Sequence, residues 1–283
     1  MRAPQRPMDH IREEAARWLA SREEAGLMPS TVRAYRLALA TAVPLLERRG
    51  VRSCAEVTPD DVRAIRTELA PAEMTRRQRM MVLGLLLRAH GCTAVAAAGI
   101  RWRISEPRRT VASDDDVAAL MASGPTLAAA AVLGAELGLR LSEIARARWC
   151  DIDGDRLRIL GKGGRVRRQY IPRCAIERLR ELRDGRCAHI VPILDDDGRE
   201  AEGDAARADR LRWEMSRTCR RLGLDISMHS LRRRYGTEVY RASHDIVATR
   251  DALGHASVGT TQIYIRLAED DVRRAVDMAA AHW

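Results

Sequence analysis

Apolar residues recur at helical spacing through the first hundred positions. In "DHIREEAARWLASREEAG" (9–26), Ile11, Ala15, Trp18 and Leu19 form one stripe that stops at Gly26. "PSTVRAYRLALATAVPLLERRG" predicts a second helix, with Ser30 as its cap and Gly50 as its stop. "TPDDVRAIRTELA" opens on Thr58, Pro59 and two aspartates, a helix-start signal. "EMTRRQRMMVLGLLLRAHG" makes a fourth helix with arginines at its start. "RWRISEPRRT" (101–110) has no period and contains Pro107, so it reads as a linker. Beyond it, "SDDDVAALMAS" predicts a helix capped by Ser113, and "PTLAAAAVLGAEL" a buried one. The period then changes to two: "DRLRIL" and "RVRRQYI" alternate around Gly161, Lys162, Gly163 and Gly164, a hairpin signal. Helical spacing returns at 173–184, 205–222, 230–241, 244–253 and 269–281. The pattern predicts a mainly α chain with a small β-sheet or hairpin. It divides into a four-helix domain (1–104) and an α+β domain (105–283).

Composition narrows the partner. The net charge is +10, and both parts are basic: residues 1–106 carry 18 basic and 12 acidic groups, the remainder 31 and 27. A two-part basic clamp fits a polyanion, and nucleic acid is the natural partner. Arginine 76, 77 and 79 (Arg76, Arg77, Arg79) cluster at one helix start as candidate phosphate contacts. Apolar content of 46% is enough for real cores. No apolar run reaches membrane-spanning length, and the N-terminal stretch has no apolar signal segment; a cytoplasmic protein is expected, without a membrane partner. The six cysteines lack paired spacing and read as reduced thiols. HExxH, zinc spacings and a complete P-loop are absent, so no metal and no cofactor is implied.

Of the 49 basic residues one alone, Lys162, is lysine. Lysine releases a proton far more readily than arginine does. At the turn of a hairpin flanked by glycines, Lys162 is a candidate proton donor.

Four stretches of the second half belong together: "LGLRLSEIARARWCDID", "LGKGGRVRRQYIP", "HSLRRRYGT" and "LGHASVGTTQIYIR". In this order, with Tyr264 nine residues after His255, they resemble the signature segments of the tyrosine recombinases, the phage-integrase family. "STVRAYRLAL" is similar to the wording of that family's second helix, so the likeness covers nearly the whole chain. The resemblance implies a SAM-like core-binding domain followed by a catalytic domain. It implies DNA strand exchange through a 3′-phosphotyrosyl intermediate and a Holliday junction, with four protomers on two specific core sites. A directionality factor is a further candidate partner.

On this reading Tyr264 is the nucleophile. Arg140 and Arg232 clamp the scissile phosphate, because a guanidinium meets phosphate oxygens with a rigid fork. His229, by resemblance, takes the tyrosine proton, and His255 hydrogen-bonds the phosphate or orients the site. Lys162 matches the family's hairpin lysine, which protonates the leaving 5′-oxygen. Glu143, three after Arg140, is placed to orient that arginine. Arg165 and Arg233 are further candidate DNA contacts. About eight residues precede the first helix, which predicts a compact form without an arm-type DNA-binding domain. "HSLRRRYGT" departs from the family's commoner wording and leaves the subgroup open. A phage or mobile-element integrase is the leading expectation. A Xer-like dimer-resolution recombinase and a type IB topoisomerase are the alternatives.

Overall fold

The computed structural model describes residues 10–103, 110–161, 164–183, 185–254 and 280. The chain divides into two compact units, Met1–Pro107 and Arg108–Trp283.

The first unit holds α1 (Ile11–Glu24), α2 (Pro29–Glu47), α3 (Pro59–Ile65), α4 (Glu73–Ala89) and a single turn, α5 (Ala94–Ala97). The predicted stripe on α1 is its buried face: Ile11, Ala15 and Trp18 point into a core with Leu39, Leu46, Ile65, Leu83 and Leu87. Ser30 is not the cap of α2. Met28 takes that position, and Pro29 starts the helix with Ser30 inside its first turn. The fixed φ of proline is already helical, so the helix begins two residues earlier than a serine cap would set it. Thr58 does cap α3. Its hydroxyl accepts from the Asp61 amide (3.2 Å) and the Asp61 carboxylate accepts from the Thr58 amide (3.1 Å), two reciprocal bonds that satisfy the helix's first donors. The α5 turn has no periodic signal in the sequence and was not expected.

The second unit begins with α6 (Asp114–Met121), entered by a capping box between Ser113 and Asp116. Then come α7 (Pro125–Ala135), α8 (Leu141–Arg146), β1 (Ile152–Asp153), β2 (Arg156–Leu160), β3 (Val166–Tyr170), α9 (Arg173–Glu181), α10 (Asp204–Leu222), α11 (Met228–Ser243) and α12 (Ile246–Leu253). The strands form one antiparallel sheet in the order β1-β2-β3, with Arg156 opposite Tyr170 and Leu160 opposite Val166. One face of the hairpin buries Leu157, Ile159 and Gln169, and the other presents Arg156, Arg158, Arg168 and Tyr170. The structure is therefore mainly α with a small β-sheet, as the pattern predicts.

Helix α7 is the centre of this unit, buried on every side from Leu127 to Ala135. Its alanines and Gly134 let other elements come close: a methyl group on Gly134 would stand 3.0 Å from Leu231 Cβ of α11. Arg207 of α10 is also fully buried. It donates to the carbonyls of Ala145 (2.8 Å), Val191 (2.9 Å) and Ala201 (3.1 Å), fastening α10 to the end of α8. Glu200 supplies its counter-charge at 3.4 Å and also binds His189 Nδ1 at 2.7 Å. Burial, above all, lowers the His189 pKa from its ordinary value.

Candidate active site

The site is built where three backbone turns end. The chain leaves α7 through Gly138, whose φ of +65° is the left-handed region, and Arg140 stands just before α8. A side chain at Gly138 would collide with the Tyr235 ring of α11, so glycine is required there twice over. One turn into α8, the Glu143 side chain is 1% exposed. Its Oε2 accepts from the Arg140 amide (2.9 Å) and its Oε1 from Arg140 Nη1 (3.1 Å). From β3, Arg167 grips the same carboxylate with both arms, Nη1 to Oε1 at 2.8 Å and Nη2 to Oε2 at 2.9 Å. Burial pushes the Glu143 carboxyl upward. Arg167's hydrogen bonds, the Arg140 amide and the two guanidinium charges outweigh it and hold the pKa at about 2. Glu143 is thus a permanent anion that aligns two cations.

Arg232 is placed by α11 and is 1% exposed. Its Nη2 donates to the Leu253 carbonyl (2.7 Å) at the end of α12, and its Nη1 to the Gly138 carbonyl. The fork is therefore fixed by the end of α12 and the turn between α7 and α8 before any substrate arrives. His229 lies one turn earlier on α11, open to solvent along one side. Its pKa is lowered by partial desolvation and then by the charges of Arg233, Arg232 and Arg140. An imidazole whose neutral form is favoured in this way is able to accept a proton. Tyr235, nearby on α11, is a packed ring. Burial raises its pKa, and Gln169, which donates to the Leu137 carbonyl, binds it.

The family model described as the phage integrase family matches residues 113–271, more than half of the chain. The chain belongs to the phage integrase family. Tyrosine recombinase XerC of Xanthomonas campestris pv. campestris is 28% identical over 271 residues, covering 88% of this chain and 82% of that protein. XerC of Xanthomonas axonopodis pv. citri is 32% identical over 148 residues, and XerA of Thermococcus kodakarensis 29% over 145. In those two alignments the chain spans about half the length of the relative, 47% and 51%. Among solved structures, a lambda integrase dimer bound to a COC′ core site superposes with a TM-score of 0.71 at 18% identity, covering 90% of this chain and 95% of that one. This likeness shows the integrase fold.

Three of the predicted integrase residues, Lys162, His255 and Tyr264, lie outside the described residues. The residues just before two of them are described, and both border Arg167. A Cβ on Gly254, before His255, would lie 2.8 Å from Arg167 Cδ and Nε. A Cβ on Gly161, before Lys162, would lie 3.7 Å from Arg167 Nη1 and 3.9 Å from Glu143 Oε1. Arg167, itself in the second signature stretch, thus borders Glu143 of the first and Gly254 of the fourth, and no local motif marks it in the sequence. The signal was available: strand alternation puts residue 167 on the inward face beside Gln169, and an inward arginine needs a buried acceptor.

The remaining candidate DNA contacts are dispersed. Arg165 is exposed at the start of β3. Arg233 donates to the Thr110 carbonyl at 3.2 Å. In the first unit Arg76 bonds the carbonyls of Ala70 and Pro71, Arg79 bonds that of Leu69, and Arg77 is exposed. Among the described residues one group offers metal-ligand atoms within 4.8 Å of one another: Glu14, Cys54 and His90. There Glu14 accepts from the Cys54 amide at 2.6 Å, and burial and Glu14 together push the thiol far up. A protonated thiol bonded to a carboxylate accounts for that contact without an ion. None of the described helices is long and apolar enough to cross a membrane.

Proposed function

We propose that this chain is a site-specific DNA recombinase that breaks and rejoins strands through a phosphotyrosyl bond. Residues 1–104 are the core-binding domain and 105–283 the catalytic one. The observation that carries the reading is that Arg232 of α11, one turn after His229, bonds the Gly138 carbonyl two residues before Arg140, which is itself held by the buried Glu143 carboxylate. Two guanidiniums so placed neutralise the non-bridging oxygens of a phosphodiester and the extra charge of its pentacoordinate state. The Tyr264 oxygen attacks phosphorus and its proton passes to His229. The bond from phosphorus to the 5′-oxygen breaks, and that oxygen takes a proton from Lys162. His255 holds the phosphate. Because the phosphotyrosyl ester conserves the bond's energy, a 5′-hydroxyl from a second duplex reverses the step and joins the strands.

The partners are duplex DNA with specific core sites and three further copies of the chain, through a Holliday junction, with a directionality factor as a regulator in the bacterial cytoplasm. Integration or excision of a phage or mobile element is the leading role. Resolution of chromosome or plasmid dimers is the second reading, favoured by relatives named XerC and XerA.

The test is a nicked suicide duplex carrying the chain's own site, recovered by selection from randomised inverted repeats. A covalent protein–DNA adduct should form and be lost in Tyr264→Phe. In Lys162→Arg, cleavage should slow and recover on a 5′-bridging phosphorothiolate, whose thiolate leaves without a proton. An adduct that persists in Tyr264→Phe removes the nucleophile assignment. Equal slowing of Lys162→Arg on both substrates removes the acid.

A further inference from the structure

We infer that Arg167 is a positioning residue for cleavage, acting through Glu143 on Arg140; this rests on Arg140 being the phosphate clamp proposed above. The geometry is specific. A bidentate fork holds both carboxylate oxygens of Glu143 at 2.8 and 2.9 Å. Those same two oxygens receive Arg140, one through its amide and one through its guanidinium. Without Arg167, the carboxylate has no partner across the sheet to set its plane, and Arg140 inherits the freedom. The Arg140 side chain is 41% exposed, so its aim depends on that single carboxylate far more than a buried arginine's would.

The surroundings of Arg167 are equally restrictive. Its stem lies against Gly254, where φ is +62° and any Cβ would occupy the arginine's Cδ and Nε. Gly161 brings the end of β2 to the same guanidinium. Arg167 is 23% exposed and both its terminal nitrogens are held by Glu143, so it faces the phosphate less directly than Arg140 does. Its charge contributes by keeping Glu143 ionised, and its shape by fixing where Arg140 points.

The experiment uses the full chain and the selected suicide duplex, with single-turnover adduct formation as the readout. Each variant is measured on the ordinary phosphodiester and on a scissile methylphosphonate, whose uncharged phosphorus needs the clamp less. Arg140→Ala serves as the reference: it should be slow on the phosphodiester and partly recover on the methylphosphonate. Arg167→Ala should bind the duplex like the parent and cleave the phosphodiester roughly ten- to a hundredfold more slowly. It should recover on the methylphosphonate in the manner of Arg140→Ala, and adding Glu143→Gln should slow it no further. Arg167→Lys, which keeps charge and fold but loses the fork, should show the same pattern and carries the test if Arg167→Ala is unstable. Normal cleavage by Arg167→Lys overturns the inference, as does equal slowing of the Arg167 variants on both substrates or additivity with Glu143→Gln. If Arg140→Ala itself fails to recover on the methylphosphonate, the clamp assignment falls and takes the inference with it.

Discussion

Two clusters of arginine show how differently one residue type is used here. At the start of α4, Arg76 and Arg79 turn back on the carbonyls of Leu69, Ala70 and Pro71, closing the end of the preceding helical segment. Around α8 and α11, Arg232 also binds carbonyls, those of Gly138 and Leu253, but it does so fully buried. Arg140 and Arg167 there share an ionised carboxylate that is itself buried. Three guanidiniums against one carboxylate leave a concentrated positive charge whose directions are preset. The first cluster commits its guanidiniums to backbone carbonyls that follow α3, with no buried carboxylate beside them. The second is organised on a carboxylate that is 1% exposed, where charges are screened less than at the surface. A buried carboxylate and the buried Arg232 separate the two; the exposure of the other arginines does not, since the Arg76 side chain is 21% exposed, Arg167 23% and Arg140 41%.

The contrast can be broken most severely at Arg232. Arg232→Ala should reduce adduct formation by roughly 100- to 1000-fold in single-turnover cleavage, the scale of losing one preset donor at a developing charge. Retention of near-parent rates would mean the buried fork is only a fastener, like Arg76.

Glu143 comes next. Its folded pKa of about 2 lies below the ordinary carboxyl value of 4.5, so its ionised form is favoured by the fold. The stability it contributes is present above about pH 4.5 and is lost as the pH falls toward 2. The scale is roughly 3 kcal/mol. Urea unfolding of the parent and Glu143→Gln between pH 7 and pH 2 checks this: the gap between them should be largest near neutrality and close on acidification. A gap independent of pH would show that Glu143 acts through packing.

The smallest effect belongs to the surface cluster. Arg79→Ala should cost about 1.5 kcal/mol in thermal unfolding, the lower end for one charge-assisted bond to a carbonyl. It should leave the salt dependence of DNA binding unchanged. Exposed Arg77→Ala should instead leave stability alone and lower the log–log salt slope by about 1. The reverse assignment would erase the distinction drawn within that cluster.

Much of the fold was legible because local chemistry and tertiary outcome agree. Thr58 and Ser113 are capping residues followed at the right distance by aspartates, and both close capping boxes. The buried α7 is apolar at nearly every position, and the change from helical to alternating period marks the hairpin. Ser30 misled because two start signals compete within two residues and proline's fixed φ prevails. In the site, the motifs single out Arg140, Glu143, His229 and Arg232 as candidates, and the expected contact between Arg140 and Glu143 is formed, Arg140 donating. Arg167 is not singled out, since nothing local distinguishes it from Arg165 or Arg168 except which face of β3 it occupies.

The sequence alone determined the helical and strand periods, the basic balance, the family signatures and the lone lysine, since each is a property of neighbouring residues or of composition. The tertiary structure decided which arginines are buried and which share a carboxylate. It brought residues 138, 143, 167, 232 and 254 to one place, buried one carboxylate among guanidiniums and thereby set its ionisation. That decision is not local: a guanidinium's role follows from the dielectric and the acceptors around it, and only packing between distant segments supplies those.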